Sequence, residues 1–147
     1  MKHLLIISLF FVLQGKSQEA IQWVSFDELP AKMREEKKPI LLFFYTDWCK
    51  YCQLQKNTTF QNESVISKLN AAYYPIKING ETTKEIDFLG RKYQYQPSTK
   101  THEFLEQLMQ QDGKFSFPTT TFITKDLSMV VKKDGYLSKE VFLELIK

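Results

Sequence analysis

Ile40-Leu41-Leu42-Phe43-Phe44-Tyr45-Thr46-Asp47-Trp48-Cys49-Lys50-Tyr51-Cys52 runs from six apolar or aromatic residues straight into a pair of cysteines. Six such residues without alternation describe a strand covered on both faces, at the centre of an α/β sheet. Thr46 and Asp47 suit a helix start, and Gln53, Leu54, Gln55 and Lys56 are good helix formers. A helix is therefore expected to begin near Cys49. Thr58 and Thr59 weaken it, and residues 62–70 resume it with Val65, Ile66 and Leu69 on one face.

Cys49 and Cys52 are the only cysteines of the 147-residue chain. Two thiols cannot make a four-cysteine zinc site. A mixed site would need both His3 and His102, so no metal is expected. As a staple the pair is weak, because so short a loop removes little entropy from the unfolded chain. As a redox couple it is well placed. A helix N-terminus offers free N–H groups and positive potential, which favour a thiolate. Cys52, three residues on, lies on the same helix face one turn further in. Cys49 is then the attacking thiol and Cys52 the resolving one. The opposing reading is an inert disulfide in a binding module.

Outward from this stretch, residues 20–24 read as a first strand. Ser25 and Glu28 have capping-box spacing, so a helix should follow to about residue 37 despite Pro30. Residues 74–78 form a strand that Asn79-Gly80 ends. Residues 83–93 read as a helix with Ile86 and Leu89 inward. Gln96-Pro97-Ser98 is a linker, and 99–111 an amphipathic helix with Phe104, Leu105, Leu108 and Met109 as its stripe. Asp112-Gly113 stops that helix. Strands at 119–124 and 129–132 flank a hairpin turn at Lys125-Asp126-Leu127-Ser128. Ser138 caps a last helix that buries Val141, Phe142, Leu145 and Ile146. The order β-α-β-α-β-α-α-β-β-α implies a mixed central sheet with helices on both faces.

The segment Phe43 to Cys52 resembles the active-site segment of the thioredoxin superfamily. It is most similar to secreted thioredoxin-like proteins and to the C-terminal periplasmic domain of the transmembrane thiol:disulfide interchange reductase. Thr59-Phe60 matches a Thr-Phe pair of that group. The resemblance implies the thioredoxin fold over residues 20–147 and two-cysteine exchange with protein thiols and disulfides. It implies an upstream thiol electron donor, no cofactor, and a reductase direction. Phe117-Pro118-Thr119 matches the family's cis-proline loop, which faces the cysteines and binds an extended substrate chain. Trp48 and Tyr51 beside the pair, with Phe117 and Pro118, are the implied substrate-binding residues. Trp48 reads equally as a core residue, and Tyr51 as a plain exposed aromatic.

Two positions depart from the family pattern. Phe43 stands where the family has a buried carboxylate, and Lys56 where the related reductase domain has an acid. Lys77 matches the family's paired lysine. No general base for Cys52 is assigned. Lys50, Lys56 and Lys77 are expected to favour the thiolate and make the couple less reducing. The alternative is that they are solvated and contribute little. The span between Lys77 and Pro118 exceeds the family's usual length. The extra part, 93–114, includes a helix before the proline loop, which either covers the core or walls the substrate groove. His102 on it is expected at the surface.

Lys2, the apolar run from Leu4 to Leu13, and small residues at Gly15 and Ser17 have the pattern of a secretory signal peptide cut after Ser17. A buried N-terminal element or an uncleaved anchor are the alternatives. The expected organisation is a signal peptide at 1–17 and one thioredoxin-like domain at 18–147, a monomer, periplasmic or secreted. The chain carries 20 basic and 17 acidic residues. Without Lys2 and Lys16 the charge falls from +3 to +1. So balanced a domain gives no electrostatic reason to bind nucleic acid.

Overall fold

The computed structural model describes residues 19–109 and 114–146. The expected signal peptide and the Asp112-Gly113 helix stop lie outside the described residues. The elements run α1 (Leu29–Glu35), β1 (Ile40–Tyr45), α2 (Lys50–Asn57), a 3-10 turn (Thr59–Gln61), α3 (Glu63–Ala72) and β2 (Tyr74–Asn79). Two small hairpins follow, β3 (Ile86–Phe88) with β4 (Arg91–Tyr93), and β5 (Tyr95–Gln96) with β6 (Thr101–His102). The chain continues through α4 (Glu103–Met109), β7 (Thr119–Ile123), β8 (Val130–Asp134) and α5 (Lys139–Leu145).

The main sheet has the order β2-β1-β7-β8. β1 pairs parallel with β2 and antiparallel with β7, and β7 pairs antiparallel with β8. This is the mixed sheet expected from the sequence. Ile40 to Phe44 are all fully buried. Successive side chains of a strand point to opposite faces. Ile40, Leu42 and Phe44 join the layer of Leu29, Ile76, Phe104 and Met109. Leu41 and Phe43 join the opposite layer of Cys52, Phe60, Leu69 and Phe142. Alternation is present in the structure but invisible in the sequence, because neither face meets water.

The local signals near the termini hold with adjustments. Ser25 N–H donates to Glu28 Oε2 (2.9 Å) and Glu28 N–H to Ser25 Oγ (3.2 Å), the capping-box pair. The pair closes the turn at 26–28, and α1 itself begins at Leu29 with Glu28 as its N-cap. Helix α1 ends at Glu35, ahead of the residue 37 expected. Residues 20–24 form no strand; Val24 N–H makes a single hydrogen bond to Pro75 O (2.8 Å). Ser138 Oγ accepts from Val141 N–H and caps α5. Phe142 and Ile146 are buried as expected, whereas Val141 is exposed.

The region after β2 departs most from expectation. Residues 83–93 are not helical. They fold as the β3–β4 hairpin, with Leu89 (φ 56°) and Gly90 (φ 92°) at its turn. Consecutive positive φ angles build a two-residue hairpin turn that glycine favours and that a helix forbids. Asp87 Oδ1 accepts from Gly90 N–H (2.8 Å) and fastens it. Helix α4 starts at Glu103, four residues later than expected. His102 is buried: its Nδ1 accepts from Phe104 N–H (3.2 Å), and its Nε2 lies 2.9 Å from Lys84 O. Those partners require the neutral tautomer with the proton on Nε2. His102 is a helix-capping core residue, not a surface one.

Phe104 ties this longer region to the core. Its ring meets those of Phe26 (5.4 Å), Phe88 (5.4 Å), Tyr93 (5.0 Å) and Phe44 (6.3 Å). The extra segment therefore shares in covering one face of β1, together with α1 and the β3–β4 hairpin. Replacing Phe104→Ala should cost about 3–5 kcal/mol of folding stability, the usual penalty for emptying an aromatic core site. Urea unfolding of the wild type and variant measures it, and a loss near zero would show the segment to be dispensable covering.

Candidate functional site

Strand β1 ends at Tyr45, and the chain turns through Thr46, Asp47 and Trp48 into α2. Thr46 is buried, and its backbone O lies 3.4 Å from Cys49 N. Cys49 itself is the N-cap, with extended backbone (φ −78°, ψ 107°). Its O accepts the first helical bond from Gln53 N–H (3.1 Å), and its Sγ accepts from Cys52 N–H (3.1 Å). Sulfur thus occupies the place where a serine or aspartate oxygen usually caps a helix. Neither Thr46 nor Asp47 takes that role. Asp47 Oδ2 instead accepts from Asn79 Nδ2 (3.3 Å), which joins the end of β1 to the end of β2.

Cys49 and Cys52 form a disulfide, with Cα atoms 5.2 Å apart. Cys52 is sealed at 0% exposure and Cys49 retains 6%. The split between an outer and an inner sulfur agrees with the sequence reading, but the outer one is more covered than expected. The residues flanking it are open. Trp48 is 68% exposed and Tyr51 64%. Trp48 is therefore no core residue, and Tyr51 stands free of ring contacts among the described residues.

Phe117-Pro118 is a cis peptide, as the resemblance implied. The proline loop comes to the cysteines: Phe117 packs against the cluster that holds Cys49 and Cys52, and its ring meets Trp48 edge-on at 6.3 Å. Pro118 is buried and its O accepts from Gly135 N–H (2.8 Å). Strand pairing begins only at Thr119, so Phe117 lies outside the ladder.

Two residues that the sequence did not single out complete this surface. Glu81 Oε1 accepts from Trp48 Nε1–H (3.0 Å) and fixes the indole. Gly80 lies against the tip of the Phe117 ring; a Cβ there would sit 2.2 Å from Cζ of Phe117. Gly80 was legible only as a strand stop, and Glu81 carried no signal.

The three lysines divide. Lys50 is exposed on the first turn of α2. Lys77 is exposed as well, on β2 opposite Phe43, whereas Lys56 is half-buried. Lys56 Nζ rests over the Tyr45 ring, 3.6 Å from its centroid, and Lys77 Nζ lies 5.8 Å from the Trp23 centroid. Burial holds the Lys56 ammonium below its ordinary pKa; Asp47 opposes this and Lys77 adds to it. Phe43 fills the expected carboxylate position completely and packs on Phe60 at 4.8 Å. Among the described residues, no group of three His, Cys, Asp or Glu side chains could hold a metal ion.

Comparison with known proteins agrees with this geometry. The thiol:disulfide interchange protein DsbD of Campylobacter jejuni is 34% identical over 55 residues, 37% of this chain. That segment is only 10% of the DsbD sequence. The structure is similar to that of DsbH oxidoreductase, with a TM-score of 0.58 and 18% identity over 92% of this chain and 90% of that one. It is also similar to the reduced C-terminal domain of DsbD from Neisseria meningitidis, with a TM-score of 0.54 and 18% identity over 82% and 89% of the two chains. At these identities the structural likeness speaks for the fold alone. A sequence model of the thioredoxin-like domain matches residues 26–147, and the chain belongs to that family.

Proposed function

We propose that this protein is a thiol:disulfide oxidoreductase that reduces disulfides of protein substrates outside the cytoplasm, after removal of residues 1–17. The observation that carries the reading is the position of Cys49. It is the N-cap of α2, bonded in a disulfide to Cys52 one turn in, with the cis-proline loop packed alongside.

In the reducing direction the cycle begins from the dithiol. The Cys49 thiolate attacks one sulfur of the substrate disulfide, and the other leaves as a thiolate that takes up a proton. Cys52, once deprotonated, attacks Cys49 Sγ, and the second substrate sulfur leaves as a thiolate that takes up a proton. Two electrons pass to the substrate, and the pair is left as the disulfide. An upstream dithiol donor returns it to the reduced state by the same exchange in reverse. The Cys52 N–H aimed at Cys49 Sγ and the end of α2 stabilise the thiolate before attack. An extended substrate segment would lie along Phe117, whose position outside the ladder leaves room for strand addition, with Trp48 and Tyr51 flanking it.

Trapping tests the exchange itself. Cys52→Ser should accumulate a mixed disulfide between Cys49 and its partner, seen on a non-reducing gel, whereas Cys49→Ser should trap nothing. After mild reduction of the wild type, iodoacetamide should alkylate Cys49 well before Cys52. A Cys49 that stays unlabelled would identify an inert disulfide in a binding module.

The lysines and the loss of the carboxylate at Phe43 predict the potential. Positive charge near the pair favours the thiolate, and so the reduced form. Equilibration with glutathione should give a value less negative than the roughly −270 mV of a reducing thioredoxin. A value at or below that would refute the electrostatic argument but leave the exchange chemistry standing.

A further inference from the structure

A concavity lies beside Phe43, away from the Trp48–Phe117 surface. It is a cleft of about 280 Å³ whose lining includes Trp23, Phe43, Phe60, Lys56 and Lys77, with Gln61 at its polar edge. That volume is at the lower end of the range for small-molecule sites. Its walls are aromatic: the Trp23 ring meets Phe60 at 5.5 Å and Phe43 at 6.4 Å. Its charge is of one sign. Lys77 stands opposite Phe43 in the β1–β2 register, and Lys56 rises from the last turn of α2.

Neither lysine makes an ion pair among the described residues; the ion pairs there involve Lys38, Lys92, Lys132 and Lys139. Each ammonium is instead set against an aromatic ring. Asp47 acts on Lys56 from beyond ion-pairing distance, and its carboxylate accepts a hydrogen bond from Asn79. Lys56 and Lys77 also repel one another. Lys56 is half-buried and Lys77 exposed beside the apolar wall, and neither has a carboxylate within ion-pairing distance among the described residues. Phe43 supplies none.

We propose that this cleft binds a small organic anion, a carboxylate carried on an apolar or aromatic body. Lys56 and Lys77 take the carboxylate between them, and Trp23, Phe43 and Phe60 take the body. The site is separate from the exposed surface of Trp48, Tyr51 and Phe117, and its occupation does not depend on disulfide exchange.

The two tryptophans give the test its internal control. Trp23 lies in the cleft and Trp48 at the disulfide mouth, so their indole N–H resonances report the two places separately. Benzoate is titrated into the purified oxidised protein and followed by heteronuclear NMR. The expected result is a saturable shift of the Trp23 resonance with Trp48 unmoved. The double variant Lys56→Gln, Lys77→Gln should weaken binding more than about tenfold, and neutral benzamide should produce no saturable shift. Both lysines are at least partly open to solvent, so the variant should keep the wild-type spectrum elsewhere. An unmoved Trp23, an equal shift of Trp48, equal binding of benzamide, or undiminished binding by the double variant would each overturn the proposal.

Discussion

Strand β1 has water on neither face. Leu41 and Phe43 press on the layer of α2, α3 and α5, while Ile40, Leu42 and Phe44 press on α1, α4 and the β3–β4 hairpin. A strand in that position must be closed over from both sides, or its large side chains stand in water at roughly 1.5–3 kcal/mol each. The helices, the β3–β4 hairpin and the proline loop meet that demand. The same burial leaves β1 one direction in which to end, at the sheet edge where Tyr45 gives way to the loop before α2. The reactive pair is therefore delivered by the strand that the whole core is built around.

That origin explains how the site is held. Cys49 is placed by three separate constraints: the end of β1, the start of α2, and the proline loop that precedes β7. The α2 helix is anchored from below by buried polar contacts. Gln55 Oε1 accepts from Leu137 N–H (3.0 Å), and Thr59 Oγ1 donates to Leu137 O (2.6 Å). Both side chains are fully buried, so losing either partner would leave a buried peptide group unsatisfied. Exchange chemistry needs a sulfur that stays in place while partners come and go. A helix whose far end is held by a polar clamp, with an exposed indole and phenol at its start, meets that need.

The two faces of the site differ in electrostatics. Toward solvent, Trp48, Glu81 and Phe117 form a surface fastened by one hydrogen bond and one ring contact. Away from that surface, Phe43, Lys56 and Lys77 form a region with positive charge and no carboxylate within ion-pairing distance among the described residues. Substituting an aromatic ring for an acid at position 43 exchanges a proton acceptor for packing. It leaves Asp47 as the acid that acts on Lys56.

Sequence alone determined the central strand, the helix start at the cysteines, the capping box at Ser25, the Ser138 cap and the hairpin turn at 125–128. Each is written in residues that are neighbours along the chain, where propensity and hydrogen-bonding chemistry act locally. The placing of Cys49 outside and Cys52 one turn further in followed from the same short spacing. Residues 83–93 misled because Ile86 and Leu89 satisfy helical spacing, while the Leu89-Gly90 turn that contradicts it has its effect only once two strands can pair. His102 misled because a lone histidine carries no sign of whether a helix end will bury it. Only tertiary structure could bring Phe117 onto Gly80 and beside Trp48, set Glu81 against the indole, and gather Trp23, Phe43, Lys56 and Lys77 around one cleft. Those contacts join residues tens of positions apart, and their geometry is set by how the layers close over β1.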